Sequence, residues 1–278
     1  MNGESFSVAA VQVRSVPGEV SANITRLRRA VARVPNTDVL VLPELCLSGY
    51  STDPAYVATV AEATDRPGVQ LDEYRRLSVA RNCVVVAGMP ERAGDAVYNS
   101  AVVLDAGRVL GVYRKLHLFD LEQTAFTAGD VGLPVFETRG LRIGVAICYD
   151  LRFPEVVRSL ALRDVDLVAV PTAWVRGFDR STRRVQQVDG VLVQANLSQV
   201  PIACADQVGT PAAVPFLGRS LIAGPDGQAR SGPLSAERGG ACVATFTRAE
   251  LQAARHRGPR INPRDDRRSD VYGDLEPG

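Results

Sequence analysis

The sequence predicts one α/β domain built on a mixed sheet or on two packed sheets. Three observations carry that expectation. Apolar strand-like runs alternate with helical periodicities in the outer portions of the chain, the middle is rich in strands, and no linker, repeat or low-complexity tract divides the 278 residues. Hydrophobic residues at 46% and charged residues at 23% are ordinary globular values, and a chain of this length buries a substantial core. A single domain is expected over 1–278, with a core at about 6–257 and an irregular tail, rich in Pro, Arg and Asp, at about 258–278.

Phe6 to Val13 reads as a buried strand. Val20, Ile24, Leu27, Val31 and Val34 then recur at alternating spacings of four and three, the stripe of an amphipathic helix whose arginines fall outside it. Asp38 to Leu42 is the next strand and stops at Pro43-Glu44. Leu71, Tyr74 and Leu77 mark a second helix, and Cys83 to Ala87 a third strand. Val97–Leu104 and Val109–Tyr113 form a hairpin around Asp105-Ala106-Gly107. If its second strand runs on to His117, period-two alternation sends Lys115 and His117 to one face. Leu118 to Asp130 is loop-like. Asp166 to Val170 is a strand, Pro171 to Asp179 a loop, and Ser181 to Gln199 a helix carrying Val185, Val188, Leu192 and Ala195 on one face. Pro201–Ala205, Arg219–Ala223 and Ala241–Phe246 are further strands, Gly224-Pro225-Asp226-Gly227 is a turn, and Thr247 caps a last helix toward His256.

Composition narrows the function classes. A formal net charge of +1 gives no electrostatic reason for a nucleic-acid partner or an anionic membrane. The basic cluster from Arg255 to Arg268 is interrupted by Asp265 and Asp266 and reads as a solvated segment. No basic stretch followed by an apolar one opens the chain, and no apolar run approaches the ~18 residues of a membrane span. The five cysteines are odd in number and widely spread, without a CxxC pair, which disfavours disulfides and thiolate metal sites. A reduced, cytoplasmic protein is expected. Only two histidines, His117 and His256, are present, so a His-rich metal site cannot be assembled, and a His-based triad has only those two candidate bases.

The chemistry points to Arg142–Glu155. The apolar strand-type run Arg142–Ile147 ends at Cys148, and Pro154-Glu155 opens a segment with Val156, Val157, Leu160 and Ala161 at helical spacing. Cys148 therefore falls at a strand-to-helix turn, where a thiol can project from a sheet end beside backbone N–H groups suited to an oxyanion. Alone it reads more readily as a small buried hydrophobe than as a nucleophile. A thiol nucleophile needs a base and a group to hold developing negative charge. Glu44, just past a strand end, and Lys115, near another, supply both if the strands are neighbours; alone, Glu44 reads as a solvated loop acid.

Three blocks, in order, resemble the signature of the nitrilase, or carbon–nitrogen hydrolase, superfamily: Val41-Leu42-Pro43-Glu44 with Ser48-Gly49-Tyr50, Tyr113 to Phe119, and Ala146 to Glu155. Weaker similarity, including Tyr98-Asn99-Ser100, extends from about Phe6 to Tyr272. The resemblance implies a four-layer αββα sandwich and a Glu-Lys-Cys triad without metal or organic cofactor. By position, Glu44 is the general base and acid, Lys115 the oxyanion stabiliser and Cys148 the acylated nucleophile, with the Tyr149 backbone N–H as second oxyanion donor. Glu122 best matches the family's accessory glutamate, the alternative being an exposed loop acid. The family's usual Pro before Gly129 is Ala128 here, and an Arg-Ala-x-Glu-Asn-like helix pattern is replaced by Gln194 to Gln199.

Tyr149-Asp150 after the cysteine looks like the amidase branches (omega-amidases, deaminated-glutathione amidases, 5-aminopentanamidases), whereas nitrilases proper usually have Trp-Glu there. Tyr50, Phe119, Arg152 and Trp174 are candidate pocket walls, with Trp174 alternatively a buried anchor and Arg152 a structural ion-pair partner. The expected activity is hydrolysis of a small linear carboxamide through a Cys148 thioester, releasing ammonia. Alternatives are an N-carbamoyl amide hydrolase that also releases carbon dioxide, a Cys148–His117 pairing, and a catalytically silent binding or scaffold subunit. The resemblance further implies a homodimer or higher homo-oligomer.

Overall fold

The computed structural model describes residues 4–177, 185–256 and 258–271. In chain order the strands are β1 (Ser5–Gln12), β2 (Val39–Val41), β3 (Val84–Ala93), β4 (Ala96–Asp105), β5 (Arg108–Arg114), β6 (Val135–Thr138), β7 (Leu141–Val145), β8 (Leu167–Thr172), β9 (Ile202–Asp206), β10 (Val208–Gly209), β11 (Phe216–Leu217), β12 (Leu221–Ala223), β13 (Ala229–Ser231) and β14 (Gly240–Thr247). The helices are α1 (Val20–Val31), α2 (Pro54–Val60), α3 (Val69–Arg81), α4 (Pro154–Leu162), α5 (Gln186–Ser198) and α6 (Arg248–Arg255).

Twelve strands make two six-stranded sheets, β14-β1-β2-β3-β4-β5 and β13-β12-β9-β8-β7-β6, while β10 and β11 pair separately. Each sheet has three parallel strands at its centre, β1-β2-β3 and β7-β8-β9, flanked by antiparallel ones. Such central strands are covered on both faces, which accounts for their near-continuous apolar runs.

Side-chain parity sets the layers. Val8, Ala10, Val39, Val41, Val84 and Val86 of the first sheet meet Ile143, Val145, Leu167, Ala169, Ala203 and Ala205 of the second in one buried cluster. The alternate residues face outward. Ala9, Val11, Leu40, Leu42, Val85 and Ala87 pack under Ile24, Leu27 and Val31 of α1 and Leu71 and Tyr74 of α3. Val168, Val170, Ile202 and Cys204 pack under Val156, Val157 and Leu160 of α4 and Val188, Val191 and Ala195 of α5. The architecture is the expected four-layer αββα sandwich.

Local chemistry sets several boundaries. Thr247 caps α6 by accepting from the Glu250 N–H, as expected, and Asp53 does the same for α2 from Ala55, with Pro54 at its first position. Several expectations are corrected. β5 ends at Arg114, so Lys115 and His117 lie beyond the strand and not on a continuing period-two face. The Lys115 N–H still reaches the Asn99 carbonyl at 2.9 Å, but its own carbonyl accepts from Gly129 of the returning loop. β3 runs to Ala93, beyond Ala87, because β4 pairs along its full length. β8 takes in Pro171 and Thr172, and α5 starts at Gln186, with 181–184 outside the described residues. Residues 258–271 contain no helix or strand.

Candidate active site

The central side chain is Lys115, 1% exposed, immediately past the end of β5. Its Nζ donates to Glu44 Oε1 at 2.7 Å and to Glu122 Oε1 at 2.8 Å, and both carboxylates are fully buried. The desolvation of Lys115, its largest single influence, disfavours its charge, but attraction from Glu44 and Glu122 outweighs this and holds its pKa above the ordinary lysine value. Glu122 sits in the 3₁₀ turn Asp120–Thr124 and is fixed from two further sides: the Phe119 N–H donates to Oε2 at 2.9 Å, and the Tyr50 hydroxyl to Oε1 at 2.9 Å. It is not the exposed loop acid that its sequence context also allows.

Glu44 stands in the turn that follows β2. Asn99 Nδ2 donates to Oε1 at 2.7 Å beside the lysine, whereas Oε2 is buried with no hydrogen-bond partner. Burial raises the Glu44 pKa, Lys115 pulls it down less, and Glu122 adds to the rise. Close packing secures its backbone: a Cβ on Gly88 of β3 would come within 2.5 Å of the Glu44 Cα and 2.6 Å of the Leu45 nitrogen. Gly88 is thus required by a close approach of backbone to backbone.

Cys148 opens the 3₁₀ turn Cys148–Arg152 between β7 and α4, at φ +46°, a left-handed conformation that costs a non-glycine residue about 1–3 kcal/mol. Asp150 holds the turn in place. Its Oδ2 accepts from the Ile147 N–H at 2.9 Å and the Tyr113 hydroxyl at 2.7 Å, and its Oδ1 from the His117 N–H at 3.1 Å. His117 Nδ1 lies 2.8 Å from the same Oδ1, and its ring stacks on Phe153 at 3.6 Å. The first hydrogen bond of the turn runs from the Asp150 N–H to the Ile147 carbonyl at 3.0 Å, which leaves the Cys148 and Tyr149 N–H groups ahead of its ladder. Cys148 is half-buried. Its pKa is raised well above the ordinary thiol value by desolvation and then by Glu44, while Lys115 and the adjacent Ala173 N–H favour the thiolate.

Cys148 lines a cleft with Tyr50, Phe119, Tyr149, Arg152 and Trp174, so all four proposed walls converge on it. Trp174 is also 5% exposed and part of the outer core of the second sheet, so it serves both as a wall and as an anchor. Glu44, Lys115 and Glu122 lie behind this lining, and Tyr50 bridges the two layers by lining the cleft while bonding Glu122. Among the described residues, no group of three His, Cys, Asp or Glu side chains is placed to hold a metal ion, and no helix is long and apolar enough to cross a membrane.

Comparison with known proteins is consistent with this geometry. Residues 7–256 match the carbon–nitrogen hydrolase family. The chain belongs to that family, within the nitrilase superfamily. A protein described as "hydrolase in pqqF 5'region" from Pseudomonas protegens is 36% identical over 229 residues, covering 81% of this chain and 77% of that one. An N-carbamoylputrescine amidase of Solanum lycopersicum is 30% identical over 289 residues, covering 96% and 93%. A nitrilase-superfamily amidase structure from Nesterenkonia superposes with a TM-score of 0.81 at 25% identity, covering 99% of both chains.

As a carbon–nitrogen hydrolase the chain is an enzyme that hydrolyses amide-type C–N bonds, and several features of its site have no local sequence signature. Asp150 was visible only as one letter of the cysteine block, yet it ties that turn to Tyr113 and His117, two residues on either side of Lys115. Asn99 stood in a weakly similar tripeptide and proves to contact Glu44. The two departures from the family pattern leave the site braced. Gly129 keeps its N–H on the Lys115 carbonyl at 2.9 Å, and Gln194 of α5 donates to the Leu151 carbonyl of the cysteine turn at 2.7 Å.

A test follows from the raised pKa of Glu44. The folded state retains a proton that the unfolded chain releases, so this contribution is fully present below about pH 4.3 and is lost as pH rises through the folded pKa. Glu44→Gln removes the titration. Urea midpoints measured from about pH 4.5 to 8 should therefore fall less steeply in the variant than in the wild type; a steeper fall would contradict the buried-acid account.

Proposed function

We propose that this enzyme hydrolyses a small linear carboxamide by acyl transfer to Cys148, releasing ammonia and then a carboxylic acid. The observation that carries the proposal is that Lys115 and two buried glutamates form one ion cluster whose charges act on Cys148, which lines the adjoining cleft. Glu44 Oε2, the carboxylate oxygen without a hydrogen-bond partner, takes the thiol proton as sulfur attacks the amide carbon. Lys115 Nζ and the Tyr149 N–H receive the developing oxyanion. Collapse of the tetrahedral intermediate breaks the C–N bond, and Glu44 returns the proton to the departing nitrogen, leaving a thioester. Glu44 then takes a proton from water, whose oxygen attacks the thioester; the C–S bond breaks, the carboxylic acid leaves, and Glu44 passes the proton to sulfur to regenerate the thiol. Glu122 keeps Lys115 in place and charged throughout.

The paired raised pKa values suit this cycle. Burial disfavours both the thiolate and the Glu44 carboxylate, which raises the basicity of Glu44 and suits transfer of the thiol proton to it on attack and onward to the leaving group. His117 serves a different end in this scheme: its Nδ1 and backbone N–H both meet Asp150 and its ring stacks on Phe153, so it supports the cysteine turn while Glu44 acts as the base.

The relationship to an N-carbamoylputrescine amidase favours a second reading, in which the scissile group is a ureido nitrogen and carbon dioxide leaves with ammonia. Assaying a panel of linear amides and carbamoyl compounds for ammonia and carbon dioxide separates the two. Ammonia without carbon dioxide is expected, with an acyl adduct on Cys148 in intact-mass spectra and a loss on the order of 10⁴-fold for Cys148→Ala. An adduct on another cysteine, or turnover in Cys148→Ala, would overturn the assignment of Cys148; a wild type that turns over no member of the panel would favour a binding or scaffold role.

A homodimer or larger homo-oligomer is part of the same proposal. Val193 and Leu197, four residues apart on α5, are 55% and 56% exposed and form an apolar strip next to the layer that braces the cysteine turn. Size-exclusion chromatography with light scattering should give at least twice the 29.8 kDa chain mass, reduced by Leu197→Glu. A monomer in the wild type would contradict it.

A further inference from the structure

Behind the site, at the seam between the two sheets, lies a buried acid that the proposed mechanism does not use. Asp206 ends β9 and has no solvent exposure. Its Oδ1 accepts from the Thr172 hydroxyl at 3.0 Å and the Trp174 N–H at 2.9 Å, and its own N–H donates to Ser220 Oγ at 2.8 Å. Its Oδ2 is buried without a partner, and no cation is paired with it among the described residues. An ionised carboxylate in that setting carries a large desolvation penalty, and burial holds this one well above the ordinary carboxylate range. Burial thus disfavours its charged form, and the role its geometry shows is to accept two hydrogen bonds at one point.

The next residue spans the seam. Gln207 Nε2 donates to the Glu44 carbonyl at 2.8 Å, and the Glu44 and Gln207 N–H groups both reach the Thr172 carbonyl at 3.3 Å. Gln207 also bridges to Val13, just beyond β1. The dipeptide thus holds the backbone of Glu44, which follows a first-sheet strand, against the end of β8. The segment that Asp206 pins at Thr172 and Trp174 carries the Ala173 N–H that lies beside the Cys148 sulfur.

We infer that Asp206 and Gln207 are positioning residues for acylation, Asp206 aiming the Ala173 N–H at the Cys148 sulfur and Gln207 holding Glu44 across the sheet boundary at its working distance. The inference rests on the proposed roles of Glu44 and Cys148. It explains why a polar pair is buried where an apolar one would pack: two donors from one bend and a carbonyl from the opposite sheet need partners at a single place.

The test is the rate and pH profile of Cys148 alkylation by iodoacetamide, followed by peptide mass, alongside kcat and KM on whichever amide the wild type turns over. Asp206→Asn keeps the Oδ1 acceptor and removes the titratable group, so its alkylation rate stays within about threefold of wild type. Asp206→Ala and Gln207→Met slow alkylation by about 10-fold or more, move its pH midpoint upward and lower kcat more than they raise KM. Wild-type rates and profiles in these two variants, with the fold verified by circular dichroism, would overturn the inference. So would an Asp206→Asn variant as slow as Asp206→Ala, because charge would then be what matters. Should the two truncations not fold, Thr172→Val decides: loss of one Asp206 donor slows alkylation several-fold, and an unchanged rate refutes the positioning role. Glu44→Gln run in parallel keeps the readings distinct, since an undiminished alkylation rate there removes Glu44 as base whatever the Asp206 variants do.

Discussion

A lysine ammonium taken out of water is sustained here by two carboxylates at 2.7 and 2.8 Å, and the rest of the site is arranged around that ion cluster. The desolvation of three ionisable groups costs several kcal/mol each, which their mutual attraction offsets only in near-ideal geometry with the remaining lone pairs satisfied. The structure meets that condition with Asn99 on Glu44 and with Tyr50 and the Phe119 N–H on Glu122. One acceptor, Glu44 Oε2, is left over, and in a buried network an unused acceptor is the natural seat for a travelling proton.

The fold supplies the precision this cluster requires. Glu44 and Lys115 issue from the first sheet and Cys148 from the second, so the relative placement of two sheets sets the chemistry. Apolar packing between Val- and Ala-rich faces fixes the spacing, while polar ties across the seam fix the register, Tyr113 and His117 on Asp150 and Gln207 on Glu44; Thr172 and Trp174 on Asp206 brace the second sheet beside it. Leu45, next to Glu44, and Cys148 itself are among the non-glycine residues held at positive φ, so the site carries part of the backbone strain.

Much of this was legible in the sequence. Central strands such as Asp38–Leu42 and Arg142–Ile147 read correctly because burial on both faces leaves an apolar run, and α1 because its stripe is regular. The turn at Cys148 was legible because Pro154 and Glu155 announce the helix that follows. The missed elements are α2, too short for a periodic stripe, and β6, β10, β11 and β13, edge or minor strands with little apolar pattern. Asp150, Asn99, Asp206 and Gln207 escaped notice as site residues for another reason. Their site partners are 32 to 163 residues away, and a lone polar residue in an apolar stretch gives no sign of which distant partner it will meet; Glu44 and Lys115 were picked out only because matching blocks surrounded them.

The central claim is that Lys115, held between Glu44 and Glu122, faces the oxygen of the bond being broken. A crystal structure of Cys148→Ala with a small linear amide bound in the cleft tests it most directly. The account predicts the amide oxygen within hydrogen-bond reach, about 3 Å, of both Lys115 Nζ and the Tyr149 N–H, with the amide nitrogen toward Glu44 Oε2. An amide seated with its oxygen away from Lys115, or with Lys115 drawn off Glu122, would contradict it.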